Sequence, residues 1–335
     1  MSEKSCNPLN SVYCNLKVKL AGSLSERDLG GLYSCTLCNE CHTAPMNRGA
    51  RELAVSKNAI APHLKIIAGN IRRYGNPYGI ADARTGNGPD ASGTILFRGC
   101  TPTYKTPEIL AAVESLLTRQ GITYGFMDDE PCCGNILFNL GDRASGSEVV
   151  AQNIARLKSA GVRRIITVCP GCYAAFNRYY RGRDGFDLEV VLAVDLLDGL
   201  SVAGDGFVVQ DPCHAREKGD VVRSLLPGAA NKSASPCCGA GAGVVSHDPL
   251  LAEAKARKTF NGSSTKVVTY CPFCYANLSS VKQGEVTDLY VLMSQQCDGT
   301  VSHDTESVAV KPDTMAEARV SIFEKLTGVF SVGSR

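Results

Sequence analysis

Sixteen cysteines punctuate this 335-residue chain, and all but Cys6, Cys14 and Cys297 fall into three groups. The first is Cys35-Thr-Leu-Cys38-Asn-Glu-Cys41. The second is Cys100, Cys132-Cys133-Gly134 and Cys169-Pro-Gly-Cys172, and the third is Cys213, Cys237-Cys238-Gly239 and Cys271-Pro-Phe-Cys274. A C-x2-C-x2-C run aims three thiolates at three corners of a cubane 4Fe-4S cluster. A zinc site that borrows His42 is the alternative, although structural zinc sites usually pair two ligand couples. In the larger groups five thiols exceed what tetrahedral zinc uses, so zinc in either group would strand one of them. Adjacent cysteines beside a glycine look instead like two thiolates approaching one extended inorganic core. Gly134 and Gly239 would supply close backbone approach to that core, or only a positive φ at a turn. A disulfide reading requires strained vicinal bridges.

In bacterial ferredoxins the triad continues x3-C-P, and the fourth cysteine serves a second cluster. Here Pro45 stands at that position, and no second triad precedes it. One cubane is therefore expected, with its fourth ligand upstream at Cys6 or Cys14. Cys6, with Pro8 close behind, is favored; His42 comes third and is expected to face solvent.

The elements that must position these thiols can be read from periodicity. Residues 1–85 read as helical, with an amphipathic stretch over 51–73 in which Leu53, Ile60, Leu64, Ile67 and Ile71 recur at helical spacing. Asn76-Pro77-Tyr78-Gly79 ends it, and the Gly-rich segment 85–93 reads as a flexible connection and a domain boundary. Beyond it, β-branched runs at 94–97, 122–126 and 164–168 alternate with helical patterns at 107–119 and 148–159. The pattern restarts with strands at 207–210 and 266–269 around a helix at 250–260. Such alternation predicts α/β domains with largely parallel sheets.

The restart is a duplication. Ile166-Thr-Val-Cys169-Pro-Gly-Cys172-Tyr-Ala174 matches Val268-Thr-Tyr-Cys271-Pro-Phe-Cys274-Tyr-Ala276. Each copy places one cysteine after its first strand, a Cys-Cys-Gly midway, and a Cys-Pro-x-Cys where a late strand turns into a helix. Ligands in open α/β sheets sit at such carboxyl ends of strands. The expected organisation is a helical ferredoxin-like module at 1–85, α/β cysteine-rich domains at 94–200 and 201–297, and a tail at 298–335 with an amphipathic stretch around 316–326.

The repeated pattern resembles the CCG cysteine-rich domain of heterodisulfide reductase catalytic subunits and of the iron-sulfur subunits of glycolate, lactate and anaerobic glycerol-3-phosphate dehydrogenases. Its carriers are the triad, Asn76-Pro77-Tyr78-Gly79, Arg98-Gly99-Cys100, Asp211-Pro212-Cys213-His214, Cys237-Cys238-Gly239-Ala-Gly241 and both Cys-Pro-x-Cys turns. A ferredoxin-like module ahead of two such domains is most similar to the D subunits of membrane-associated heterodisulfide reductases. The resemblance implies a cubane 4Fe-4S cluster on the triad and one or two further, noncubane 4Fe-4S clusters on the five-cysteine sets. There Cys100, Cys132, Cys133, Cys169, Cys172, Cys213, Cys237, Cys238, Cys271 and Cys274 would serve both as ligands and in disulfide chemistry. The alternative it implies is a noncatalytic electron carrier beside a flavin-dependent dehydrogenase. Either role needs a redox partner, a flavoprotein or a membrane cytochrome, because no strand is followed by G-x-G-x-x-G.

Composition narrows the rest. With 35 Lys and Arg against 33 Asp and Glu, the formal charge of +2 offers no electrostatic footprint for nucleic acid. No apolar run approaches a membrane span, and Met-Ser-Glu-Lys-Ser-Cys-Asn-Pro lacks the core of a signal peptide, so a cytoplasmic location is expected, with any membrane association made through a partner. His214, directly after Cys213, could donate a hydrogen bond or proton beside a cluster, or simply start a helix. Arg98 and Arg216 flank the first cysteines of the two sets, where they could raise a cluster potential, bind an anion or remain solvated. Cys297 reads as a small hydrophobe.

Overall fold

The computed structural model describes residues 8–21, 24–81, 84–231, 236–260 and 266–298. Cys6 and the stretch around 316–326 lie outside the described residues.

Four helices come first: Pro8–Ala21, Glu26–Tyr33, Ala44–Ser56 and Pro62–Tyr74. Ser25 starts the second with a capping box, accepting from the Asp28 N–H while the Asp28 carboxylate accepts from its own. The expected stretch over 51–73 is two helices, because Asn58 takes a left-handed φ of 58° and Pro62 opens a new first turn. The apolar spacing survives the break: Leu64 and Ile71 are both buried.

The first sheet has β1 (Thr94–Phe97), β2 (Arg164–Thr167) and β3 (Glu189–Leu192), all parallel, in the order β1-β2-β3. The second has β4 (Val208–Gln210), β5 (Ala230–Asn231), β6 (Lys266–Thr269) and β7 (Glu285–Asp288), also parallel, in the order β5-β4-β6-β7. Strands β1, β2 and β3 thus repeat as β4, β6 and β7. All four residues of β1 are buried, as suits a sheet covered on both faces.

Two expectations change. Residues 122–126 do not form a strand; they make isolated bridges, Gly125 to Ile95 and Phe126 to Gly88. The 85–93 segment is held rather than loose: the Gly86 N–H donates to Asp128 Oδ1 at 2.7 Å, and Asp90 Oδ1 accepts from the Ser92 and Thr94 N–H groups at 3.0 and 2.8 Å.

One continuous apolar core joins the two sheets, with Leu96, Ile166 and Leu192 from the first and Val209, Val268 and Tyr270 from the second. The N-terminal helices dock on both copies. Tyr33 donates to the Leu140 carbonyl at 3.0 Å, and Ser34 donates to Asp248 at 2.8 Å. As a result β1, β2, β4 and β6 end at Cys100, Cys169, Cys213 and Cys271 within one folded body.

Candidate metal centre

In the first set all five thiols are buried. Cys100 opens a short helix behind Gly99, Cys169 caps the helix Pro170–Ala175, and Gly134, at φ 80°, turns Cys132-Cys133 into the helix Asn135–Leu140. The Gly134 N–H donates to Cys132 Sγ at 3.4 Å. Sulfur meets sulfur in sequence, from Cys100 to Cys132, to Cys133, to Cys172, to Cys169, each within hydrogen-bonding reach of the next. Hydrogen bonds from Cys100 and Cys133 hold the Cys132 thiol well below its usual pKa, while Cys100 and Cys133 are pushed up. Five thiolates at this density repel one another, so all can ionise together only around a positively charged core.

The surrounding residues hold the loops. Glu130 is fully buried and accepts from the Arg98 and Gly99 N–H groups at 2.9 and 2.8 Å, tying the Cys132 segment to the turn that carries Cys100. Arg84 and Arg98 flank it at 3.5 Å. Burial raises the Glu130 pKa, and these two guanidinium groups oppose that rise. Tyr180, at the end of a π-helical turn over Phe176–Tyr180, donates to the Cys133 carbonyl at 3.0 Å, and Asn153 donates to that of Cys132 at 3.1 Å. Tyr78 hydrogen bonds Thr101 at 2.8 Å beside Cys100.

The second set repeats this plan. Gly239, at φ 89°, donates to Cys237 Sγ at 3.4 Å, and Cys274 Sγ lies 3.1 Å from Cys238 Sγ. Cys213 is more open than Cys100. Asn277 donates to the Cys238 carbonyl at 2.6 Å. Asp211, before Pro212-Cys213, is gripped by Arg223 at 2.8 and 3.1 Å. The Cys237 N–H donates to Glu40, a residue of the N-terminal triad, and Glu40 also faces Lys255 at 3.6 Å and Arg216 at 4.0 Å.

The two sets meet. Cys169 of the first and Cys271 of the second act on each other's titration, as do Cys274 and Cys238, and Cys237 and Cys38 of the triad. Among the described residues no three His, Cys, Asp or Glu side chains close around a single point as one metal ion requires.

The triad loop is irregular, and Leu37, Asn39 and His42 all adopt positive φ, at 54°, 66° and 58°. Such backbone costs roughly 1 kcal/mol or more per residue and concentrates where a loop must wrap something. The Leu37 N–H donates to Cys35 Sγ at 3.4 Å. Cys14 donates to the Asp28 carbonyl at 3.5 Å inside an apolar cluster with Leu32, Tyr33 and Ala50. Burial raises its pKa, as does the nearby Asp28, while Lys17 opposes the rise. His42 is exposed, as expected.

His214 Nδ1 is 3.4 Å from Cys213 Sγ. Burial lowers its pKa, opposed by Cys169 and helped by Arg178 and Arg48. Arg98 is neither solvated nor open to an anion. It donates to the Thr85 and Met127 carbonyls at 3.1 and 2.8 Å and lies over Phe126. A Cβ on Gly239 would stand 2.4 Å from the Ala252 carbonyl oxygen, and one on Gly134 would stand 3.3 Å from Val149 Cγ1. What these glycines admit in the described structure is packed helix and positive φ. Glu130, Glu40 and Tyr180 escaped the sequence reading, although Glu40 directly precedes Cys41 and Glu130 stands two residues before Cys132.

Residues 94–177 and 208–279 both match the family model of the CCG cysteine-rich domain. Over those two segments the chain is similar to the CCG cysteine-rich domain family. It is 27% identical to a subunit of the dihydromethanophenazine:CoB–CoM heterodisulfide reductase of Methanosarcina acetivorans, over 86% of this chain and 84% of that one. It is 26% identical to a subunit of the CoM/CoB fumarate reductase of Methanothermobacter marburgensis and 24% identical to the EtfAB:quinone oxidoreductase of Syntrophomonas wolfei. These matches cover 80% and 77% of this chain but only 60% and 44% of those two proteins. Among the described residues no helix is long and apolar enough to cross a membrane.

Proposed function

We propose that the chain is an iron-sulfur redox subunit of the heterodisulfide reductase kind, in which electrons reach two CCG sites through the triad and drive disulfide or thiol chemistry. The observation that carries this reading is the repeated site itself, two sets of five cysteines held at equivalent strand ends in two segments that match the same cysteine-rich family. Cys35, Cys38 and Cys41 would hold a cubane, and each five-cysteine set would hold a further four-iron cluster. Such clusters supply single-electron transfer.

The chain's own residues do the rest. Backbone N–H groups at Leu37, Gly134 and Gly239, the last two buried, point at Cys35, Cys132 and Cys237 and stabilise negative charge on those sulfurs. Reduction of a disulfide consumes two electrons and two protons and yields two thiols. His214 Nδ1, beside Cys213, is placed to hold one of those protons or to donate a hydrogen bond to a departing thiolate.

The likeness to the EtfAB:quinone oxidoreductase favors a second reading, in which the same cysteine groups only carry electrons between a flavoprotein and a quinone or membrane acceptor. Either role calls for a redox partner, and we take the chain to be cytoplasmic, meeting a membrane only through that partner. Dye-driven reduction of disulfides by the anaerobic protein tests the first reading. Turnover that requires a partner flavoprotein, with no disulfide reduced, would replace it with the second.

A further inference from the structure

Arg51 is fully buried in the helix Ala44–Ser56, and none of its partners is a carboxylate. Its guanidinium lies 4.8 Å from the Tyr33 ring center and donates only to backbone carbonyls. These are Leu32 at 3.0 and 3.3 Å, Cys35 at 2.7 Å, Asn139 at 2.7 Å and Ala242 at 3.3 Å. The pattern in those partners is their place in the chain. Cys35 begins the triad, Asn139 lies on the short helix that follows Cys132-Cys133-Gly134, and Ala242 lies on the turn that follows Cys237-Cys238-Gly239. One cation therefore grips the backbone beside all three cysteine groups. The planar guanidinium fork makes that possible, since a lysine ammonium has three donors and no fixed plane.

A buried cation without a counter-ion is costly, and carbonyl dipoles offset only part of the cost. The ionisable groups that act on Arg51 are Cys35, Tyr33 and Arg48; burial pushes the Cys35 thiol and the Tyr33 hydroxyl up, so neither is a standing counter-ion. A cluster ligated by thiolates carries net negative charge, so the cation and the triad's cluster each supply what the other lacks.

We propose that Arg51 is a positioning residue that locks the three cysteine loops onto one guanidinium and forms the fixed positive charge against which the triad's cluster is built. The inference rests on the reading of the triad as an iron-sulfur site.

Two substitutions separate its parts. Arg51→Lys keeps the charge and loses the fork: iron occupancy should fall at all three sites together and thermal stability should drop, while the remaining triad cluster keeps the parental reduction potential. Arg51→Gln loses both, and its triad cluster should also shift to a more negative potential, by more than the clusters of the CCG sites, in an electron-paramagnetic-resonance redox titration. Cys35→Ser serves as the control that removes the triad signal alone. Should Arg51→Gln yield no folded protein, Arg51→Lys still decides: parental iron content and stability, or loss confined to the triad, would overturn the clamp. An unshifted triad potential in folded Arg51→Gln would overturn the charge role. An iron-free parental protein would overturn the functional reading itself.

Discussion

The two cysteine-rich copies share strand order, cysteine stations and glycine turns, yet they are secured differently. The first copy contains its own brace, Glu130, fully buried between Arg84 and Arg98 and bonded to the turn that carries Cys100. The second borrows its carboxylate, because Glu40 of the triad loop accepts from the Cys237 N–H. Its neighbours Cys38 and Thr36 also touch Cys237. Both sites touch the N-terminal module, the first through the Gly75 carbonyl, which accepts from the Cys132 N–H at 2.7 Å, but only the second takes its bracing carboxylate from that module. Duplication repeated the ligands, while the supports diverged with what packs on each copy.

The largest expected effect tests that difference. Cys132→Ser should lower iron by about four atoms per chain and leave the triad's spectroscopic signal intact. Cys237→Ser should remove as much iron and also perturb the triad signal, read by electron paramagnetic resonance of the reduced protein. Identical behavior of the two variants would erase the distinction between the sites.

The braces come next. Glu130→Ala strands two largely buried guanidinium groups and should cost about 3–5 kcal/mol by denaturant unfolding. Glu40→Ala removes a partly exposed carboxylate and should cost only about 1 kcal/mol. A reversed order would mean that the first copy is not the one that carries its own brace.

A smaller contrast lies in the glycines. Gly134→Ala faces a positive φ and a flexible Val149 methyl, so about 1 kcal/mol is expected. Gly239→Ala meets the Ala252 carbonyl oxygen at 2.4 Å and should cost at least about twice that, measured by thermal unfolding of the parental and variant proteins.

The last contrast is between Leu192 and Asp288, which occupy the same register position, opposite Thr167 in the first sheet and Thr269 in the second. Asp288 is fully buried, its Oδ2 is unpartnered, and burial raises its pKa to about 8. An unfolded Asp releases its proton near pH 4, so between about 4 and 8 the folded chain holds a proton that the unfolded chain has lost. Stability from this group is therefore complete below about pH 4 and falls as pH rises through about 8, by at most about 1.4 kcal/mol per pH unit. Asp288→Asn should flatten the pH profile of stability over that window; an unchanged slope would remove Asp288 as its source.

Sequence patterns marked β1, β2, β4 and β6, because buried parallel strands are short, β-branched apolar runs. They left β3 and β7 unassigned: Glu189 is exposed, and β7, Glu-Val-Thr-Asp, carries a single aliphatic residue. Residues 122–126 have a strand's composition, but Gly125 approaches the Gly88 carbonyl too closely for any side chain, and only isolated bridges form. The ligand groups were legible because thiols at these spacings have few other uses. The coupling of Cys169 with Cys271 was not, nor were the roles of Arg51, Glu130 and Glu40. Each depends on segments far apart in the chain meeting in space, which local periodicity does not encode.

Iron and acid-labile sulfide counted per chain in anaerobically prepared protein test the central claim most directly. About twelve irons are expected, four for each cysteine group. A folded protein that stays free of iron after reconstitution, or that takes up zinc instead, would contradict it.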